Sequence, residues 1–393
     1  MIRVLREKNS KMLNLRGIAW DHPRGIDPLI SASAEFNKRY QNVDITWDVR
    51  SLKEFGDMPI ETLIEQYDLI TIDHPYMGQA DRDDLLLRLE DHISEIDLRK
   101  LDQESVGPSY NSYRYDDHVY ALPIDAAALF AAYRKDHIAK TALSLPKTHD
   151  ELRNFYKKLP TGYAVAWALC PTDFWCTFLT LCAQNGGRKF IDNGLVDKKI
   201  GGQALDEIKY HVEFLHPDSM HWNPIQILDR MGNDDEIIYA PYLFGYSNYS
   251  RKGYTKNLVH FTNSPRNKNH VSTILGGVGL AVSSNCQSPA VAASFVGFVA
   301  SAEIQEGIFT LNGGQPGNKK AWLSVNNNKL CNNFFNETID TLENAYVRPQ
   351  HPGWNQFQER GADLIHAGVV RNTESEKIMD ELNQLYQTVS LDG

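Results

Sequence analysis

Apolar and polar residues alternate along this chain in two rhythms, and the switches between them outline its elements. Residues 15–20 (LRGIAW) form a short apolar strand. It is closed by Asp21, His22, Pro23, Arg24 and Gly25, a turn that cannot be strand interior because proline lacks a ladder donor. Residues 28–40 set Leu29, Ile30, Ala34 and Phe36 on one helical pattern, and residues 43–49 (VDITWDV) alternate with period two, predicting a helix and then a strand. Residues 59–66 read as a helix. Residues 68–73 (DLITID) read as a buried parallel strand ending in His74, Pro75, Tyr76, Met77 and Gly78. Strand, helix, strand, helix, strand predicts a parallel α/β sheet.

Further along, residues 120–134 (YALPIDAAALFAAYR) form a proline-containing strand, and Thr148 with Glu151 makes a capping box. Residues 165–170 form a short strand, and Pro171 opens a long apolar helix to about Gln184. Residues 237–249 (IIYAPYLFGYSNY) read as a strand and an aromatic loop. The stretch 274–322 reads as an apolar strand over 277–282, a turn with Pro289, an amphipathic helix, a second short helix and a Gly-rich turn closed by Pro316. There are no internal repeats, and the Asn-rich run 326–336 is predicted as a loop entering a helix.

That block, with Gly276-Gly277-Val278-Gly279-Leu280 and Gly313-Gly314-Gln315-Pro316, resembles the best-kept part of the family 1 extracellular solute-binding proteins. These are the relatives of bacterial maltose-binding protein that feed ABC transporters. Tyr133-Arg134-Lys135-Asp136 resembles the family's lobe-crossing end, and Leu145-Pro146-Lys147-Thr148 its helix start. His149 stands where the family has Trp, on an expected surface position. The resemblance implies a two-lobed, periplasmic-binding-protein-like α/β fold (type II). Each lobe would be a mainly parallel sheet flanked by helices, with the ligand cleft between the lobes. The first lobe is expected at 1–124 plus 266–318 and the second at 125–265 plus 319–393. The implied function is a solute-binding protein that closes on a small polar ligand (sugar, polyol or hydroxy-acid-like) for ABC-type uptake. Its implied partner is an ABC permease, and the chain is expected to be a monomer.

Bulk properties narrow the classes. At 393 residues the chain suits two domains. A formal net charge of -10 argues against nucleic acid, which needs clustered Lys and Arg. No run approaches the roughly 18 apolar residues of a membrane span. The basic start has no apolar signal region, because Arg6, Glu7, Lys8, Asn9 and Lys11 interrupt it. The chain as it stands therefore reads as cytoplasmic, or periplasmic if its start is incomplete. Five cysteines are an odd number without paired spacing, so reduced thiols are expected.

The candidate chemistry is a repeated tripeptide, Asp21-His22-Pro23 and Asp73-His74-Pro75, each closing a strand of the first lobe. In an open parallel sheet, ligands bind beyond the carboxyl ends of the strands. The resemblance places ligand-binding groups at those positions, giving Asp21, His22, Asp73 and His74, with Arg24 and Tyr76 close by. Arg24 is a candidate for holding a carboxylate through two parallel hydrogen bonds. Asp125 lies at the lobe crossing, as a ligand contact or a hinge cap. In the second lobe the candidates are Asp173 and Trp175 at the start of the long helix, Tyr242 and Tyr246 in the aromatic loop, and Trp354 before a final helix. Core packing is the alternative for each aromatic. A second reading makes the chain a cytoplasmic enzyme, with His22 and His74 exchanging protons beside Asp21 and Asp73. No Gly-x-Ser-x-Gly, P-loop or HExxH pattern occurs, so no nucleotide, metal or other cofactor is expected.

Overall fold

The structure is a computed structural model that describes residues 12–141, 143–192, 194–267 and 271–392. The basic start of the chain, on which the reading of compartment rested, lies largely outside the described residues. The chain divides into two units. The first comprises residues 1–126, 277–327 and 350–352, and the second 127–276, 328–349 and 353–393.

In the first unit, β1 (Leu13–Trp20) and β2 (Val43–Arg50) run parallel from Leu13 opposite Val43 to Trp20 opposite Arg50. β3 (Leu69–Ile72) pairs parallel on the other side of β1, and the glycine-rich strand Leu275–Val282 pairs antiparallel with β3. Apolar residues from these strands and from α1 (Pro23–Arg39) fill one core; Leu15, Leu29, Phe36, Leu280 and Phe295 are all shut from solvent. The helix begins five residues before the predicted start. Pro23 suits a first-turn position, whose N–H needs no partner, and Pro28 is carried inside the helix.

The glycines of the block 274–322 have a steric reason. Gly277 sits at φ +125°, and a Cβ there would lie 2.4 Å from the carbonyl oxygen of Asp125. The same stretch is gripped from the Gln315 loop. The Ala126 N–H donates to the Gln315 carbonyl (3.1 Å), and the Gln315 side chain donates to the Ala126 carbonyl (2.9 Å). The backbone around Asp125 is thus held on two sides, by Gly277 of the glycine-rich strand and by the Gln315 loop.

The second unit is built on the strand Ala121–Tyr133, which pairs antiparallel with Ile237–Phe244 and with His260–Thr262. Ala164–Val165 adds a parallel edge. The register slips between Ala240 and Leu243, so Pro241 and Tyr242 together oppose Ala131. Proline cannot donate to the ladder, and a bulge absorbs it. The helix Pro171–Gly186 is apolar on nearly all sides and lies at the centre of this unit's core, with Trp167, Trp175 and Trp354 all buried. The five cysteines are free, and four of them are buried. No helix among the described residues is long and apolar enough to cross a membrane.

Gly277→Ala is expected to cost at least about 3 kcal/mol, because it adds a left-handed backbone penalty to a backbone clash. Gly253→Ala, also at positive φ but facing open space, should cost only about 1 kcal/mol. Equal losses in thermal unfolding would show that the contact at Asp125 is not what Gly277 serves.

Candidate functional site

The carboxyl ends of β1, β2 and β3 lie side by side in the first unit, and each ends in a polar turn. The two Asp-His-Pro turns use different residues as caps. After β1 the cap is His22, whose Nδ1 accepts from the Arg24 N–H at 3.0 Å and starts the 17-residue α1. After β3 the cap is Asp73, whose Oδ1 accepts from the His74 N–H at 2.9 Å and starts a short 3₁₀ turn. The shift by one residue gives the two histidines different settings. Nδ1 of His22 acts as an acceptor, so the ring is neutral. Burial, aided by the Arg24 charge, lowers its pKa from 6.5 to about 4. The His74 ring is fully buried, edge-on to Tyr113, with Nδ1 3.2 Å from Asp73.

Arg24, a candidate for holding a ligand carboxylate, is engaged within the fold. Its Nε and Nη2 donate to the two oxygens of Asp125 at 2.7 and 2.6 Å, forming a two-pronged pair with both side chains buried. Burial pushes the Asp125 carboxyl above its ordinary value, and Arg24 opposes that rise. Asp125, the other candidate from the crossing strand, is committed in the same way. Each group answers the other, because a lone buried charge would be costly. Tyr76 is also buried, and its hydroxyl donates to the Gly56 carbonyl at 2.6 Å. Asp21 remains exposed, with its carboxylate making no hydrogen bond among the described residues, and Asp73 is partly exposed. Asp21 thus reaches solvent, while Asp73 caps its turn and keeps only part of its carboxylate at the surface.

One residue at these ends escaped the sequence pattern. Alternation along β2 would bury Val49 and expose Arg50. Instead Val49 is 45% exposed and Arg50 only 5%. The sequence carried no signal for this, since Val49 and Arg50 fit the period-two alternation of the run before them.

The second-unit candidates are not gathered in this way. Trp175 and Trp354 are wholly buried, with ring centroids 6.1 Å apart and Phe357 packed between α-helical segments against both. The Tyr242 hydroxyl donates to the Pro265 carbonyl at 2.7 Å and lies 3.1 Å from His149, and its ring meets Trp167 edge-on. Tyr246 is buried beside Tyr249. All four candidate rings are buried in this structure. His149, expected at the surface, is buried, and Gln184 holds its Nε2 at 2.6 Å. Asp173 lies in the first turn of the long helix, where the Cys170 thiol donates to it at 3.0 Å. Burial raises its pKa to about 6.

Two surface hollows contain none of these residues. One of about 420 Å³ lies over Trp222 and Arg230 in the second unit. The other, of about 320 Å³, lies beside Leu101 and Phe298 in the first. Among the described residues, no group of three or more His, Cys, Asp or Glu is placed to hold a metal ion.

A mainly parallel sheet with polar turns at its carboxyl ends is the layout of an α/β small-molecule binder. The chain belongs to the bacterial extracellular solute-binding protein family, whose model matches residues 32–330, roughly three quarters of its length. Solved structures agree on the fold. An ABC transporter solute-binding protein of Agrobacterium radiobacter in complex with ribitol is 20% identical, with 96% of this chain and 99% of that one covered and a TM-score of 0.79. Maltose-bound MalE3 of T. maritima is 17% identical, covering 96% of this chain and 100% of its own, with a TM-score of 0.82. An ABC transporter solute-binding protein of Agrobacterium vitis with bound D-mannitol is 15% identical, with 96% and 98% covered and a TM-score of 0.78.

Removing one member of the Arg24–Asp125 pair should destabilise the protein strongly. Arg24→Met or Asp125→Leu alone is expected to cost about 3–5 kcal/mol, and the double substitution should recover most of that loss. Additive losses would contradict the assignment of a mutually compensated pair.

His22 sets a pH dependence. Its folded pKa is depressed, so its contribution is fully present above 6.5 and is lost as pH falls toward about 4, where only the unfolded chain takes up the proton. The loss amounts to at most about 3 kcal/mol. His22→Asn keeps a capping side chain without the titration. The fall in melting temperature from pH 7 to 4.5 should be shallower in this variant; an identical profile would place the titration elsewhere.

Proposed function

We propose that this chain is the solute-binding component of an ABC-type uptake system. Its ligand would be a small polyhydroxylated molecule, held at the carboxyl ends of β1, β2 and β3 in the first unit. The observation that carries this reading is a pair of carboxylates, exposed Asp21 and partly exposed Asp73, at adjacent strand ends of a chain that belongs to a solute-binding family. A carboxylate has only acceptor sites, and sugar or polyol hydroxyls supply donors. Relatives of the same fold bound to ribitol, maltose and D-mannitol support that ligand class. The permease of such a system would be its protein partner, and the chain would act as a monomer. The family's extracellular character favours a site of action outside the cytoplasm.

The geometry gives the enzyme reading no footing. General acid–base work calls for a pKa near the operating pH and a group within reach of substrate. His22 is neutral, buried and engaged as a helix cap, and the His74 ring is sealed against Tyr113. Both histidines shape turns.

Calorimetric titration of the full chain with ribitol, D-mannitol, D-glucitol and maltose should show saturable binding to at least one. NMR should recover each ligand unaltered. Asp21→Asn and Asp73→Asn should each weaken binding by about 10-fold or more, since hydrogen bonds to charged groups contribute about 1.5–3 kcal/mol. Chemical conversion of a bound polyol would overturn the reading, as would affinity indifferent to both carboxylates.

A further inference from the structure

Arg50 is the last residue of β2, in register with Trp20 of β1. Its Nη2 donates to the carbonyl of Thr71 on β3 at 2.6 Å. The strand order is β2, β1, β3, so the side chain must cross the end of β1 to make that bond. The guanidinium therefore lies across the carboxyl end of the sheet, next to the turn that carries Asp21. The backbone agrees, since the Asp21 N–H donates to the Arg50 carbonyl at 2.7 Å.

Among the described residues no carboxylate forms an ion pair with this cation. Nε and Nη1 are buried and make no hydrogen bond among the described residues. The Thr71 carbonyl uses only one of the five N–H donors of a guanidinium. Around the group stand the Phe55 ring, with its centroid 5.2 Å away, and more distantly Tyr67, Tyr76 and Glu54. The Glu54 carboxylate is exposed and turned to the Ser51 N–H, where it closes the capping box of α2 (Leu52–Asp57). The other buried arginine at these strand ends, Arg24, has a carboxylate on both prongs. The contrast is chemical: one cation is neutralised within the fold, and the other is not.

We propose that Arg50 is a ligand-binding residue that receives a carboxylate, so that the solute is an acidic sugar derivative, such as an aldonate or uronate, instead of a neutral polyol. The inference rests on the reading of this chain as a solute-binding protein. The Nη2 N–H that Thr71 does not use, together with an N–H of a neighbouring vacant nitrogen, forms a two-pronged edge that matches a carboxylate, and a buried charge without a counterion is stabilised when one arrives. Burial already lowers the guanidinium pKa to about 10, in keeping with an uncompensated cation. The approach is past α2, none of whose described side chains is buried, Phe55 included. Asp21 and Asp73 would then accept from the ligand's hydroxyls while Arg50 takes its acid group.

The test is calorimetry on the full chain with two matched pairs, D-gluconate against D-glucitol and D-glucuronate against D-glucose, at constant ionic strength. The acidic member of at least one pair should bind about 10-fold or more tightly than its neutral partner. Arg50→Met should bring that ratio close to 1, and its melting temperature without ligand should equal or exceed that of the wild type. Neutral members that bind as well as or better than the acids would overturn the carboxylate assignment and leave the solute-binding reading standing. Binding of no member of either pair, together with none of the neutral polyols, would overturn both. A melting temperature lowered by more than about 5 °C in Arg50→Met would make the residue a structural cation and end the proposal. Should that variant not fold, Arg50→Lys keeps the charge and removes the two-pronged geometry. It should still reduce the acid-to-neutral ratio, and an unchanged ratio would count against the assignment.

Discussion

The first unit depends on the buried ion pair between Arg24 and Asp125. It joins the first turn of α1 to the crossing strand across 101 residues of sequence. Neither partner can leave without stranding the other in a medium that penalises lone charge. The backbone at Asp125 is itself immobilised, by Gly277 on one side and by the Gln315 loop on the other. The turn from Asp21 to Arg24 is consequently fixed against a clamped strand. A fixed turn suits the role proposed for Asp21, whose carboxylate would then be presented without an ordering cost at the moment of binding.

Once that pair is accounted for, the polar groups at the strand ends fall into distinct roles. His22 caps a long helix and Asp73 caps a short turn, so the repeated tripeptide serves two different backbones. Asp21 is exposed and Asp73 partly so, and among the described residues Arg50 is a buried cation at these ends without an acid. The second unit contributes its aromatic residues to packing: Trp175, Trp354 and Tyr242 stabilise its core around the helix Pro171–Gly186. Chemistry and packing are thus concentrated in different parts of the chain.

The strands were legible because their signals are local. Period-two alternation in VDITWDV and the apolar run before Asp73 translate directly into β2 and β3. The fold class followed from the order of those elements and from the glycine-rich block, whose family resemblance agrees with the match over residues 32–330. What was not legible depends on long-range contacts. Arg24 looked like a free cation since its partner is 101 residues away. His149 looked like a surface residue since the groups it packs against, Gln184 and Tyr242, lie 35 and 93 positions on. For Tyr242 the sequence left ligand contact and core packing both open, since a strand with Pro241 gives no hint of which way its bulge will turn the next ring. Arg50 was missed for a different reason. Its strand follows the alternation rule until the last two residues, where a valine is exposed and an arginine buried.

The central claim is that the ligand binds at the carboxyl ends of β1, β2 and β3 without disturbing the Arg24–Asp125 pair. A crystal structure of the chain with a bound solute tests this most directly. The account requires ligand density within hydrogen-bonding distance of Asp21, Asp73 and Arg50, with both Arg24–Asp125 hydrogen bonds retained. A ligand seated in the hollow over Trp222 and Arg230, or one that takes Arg24 away from Asp125, would contradict it.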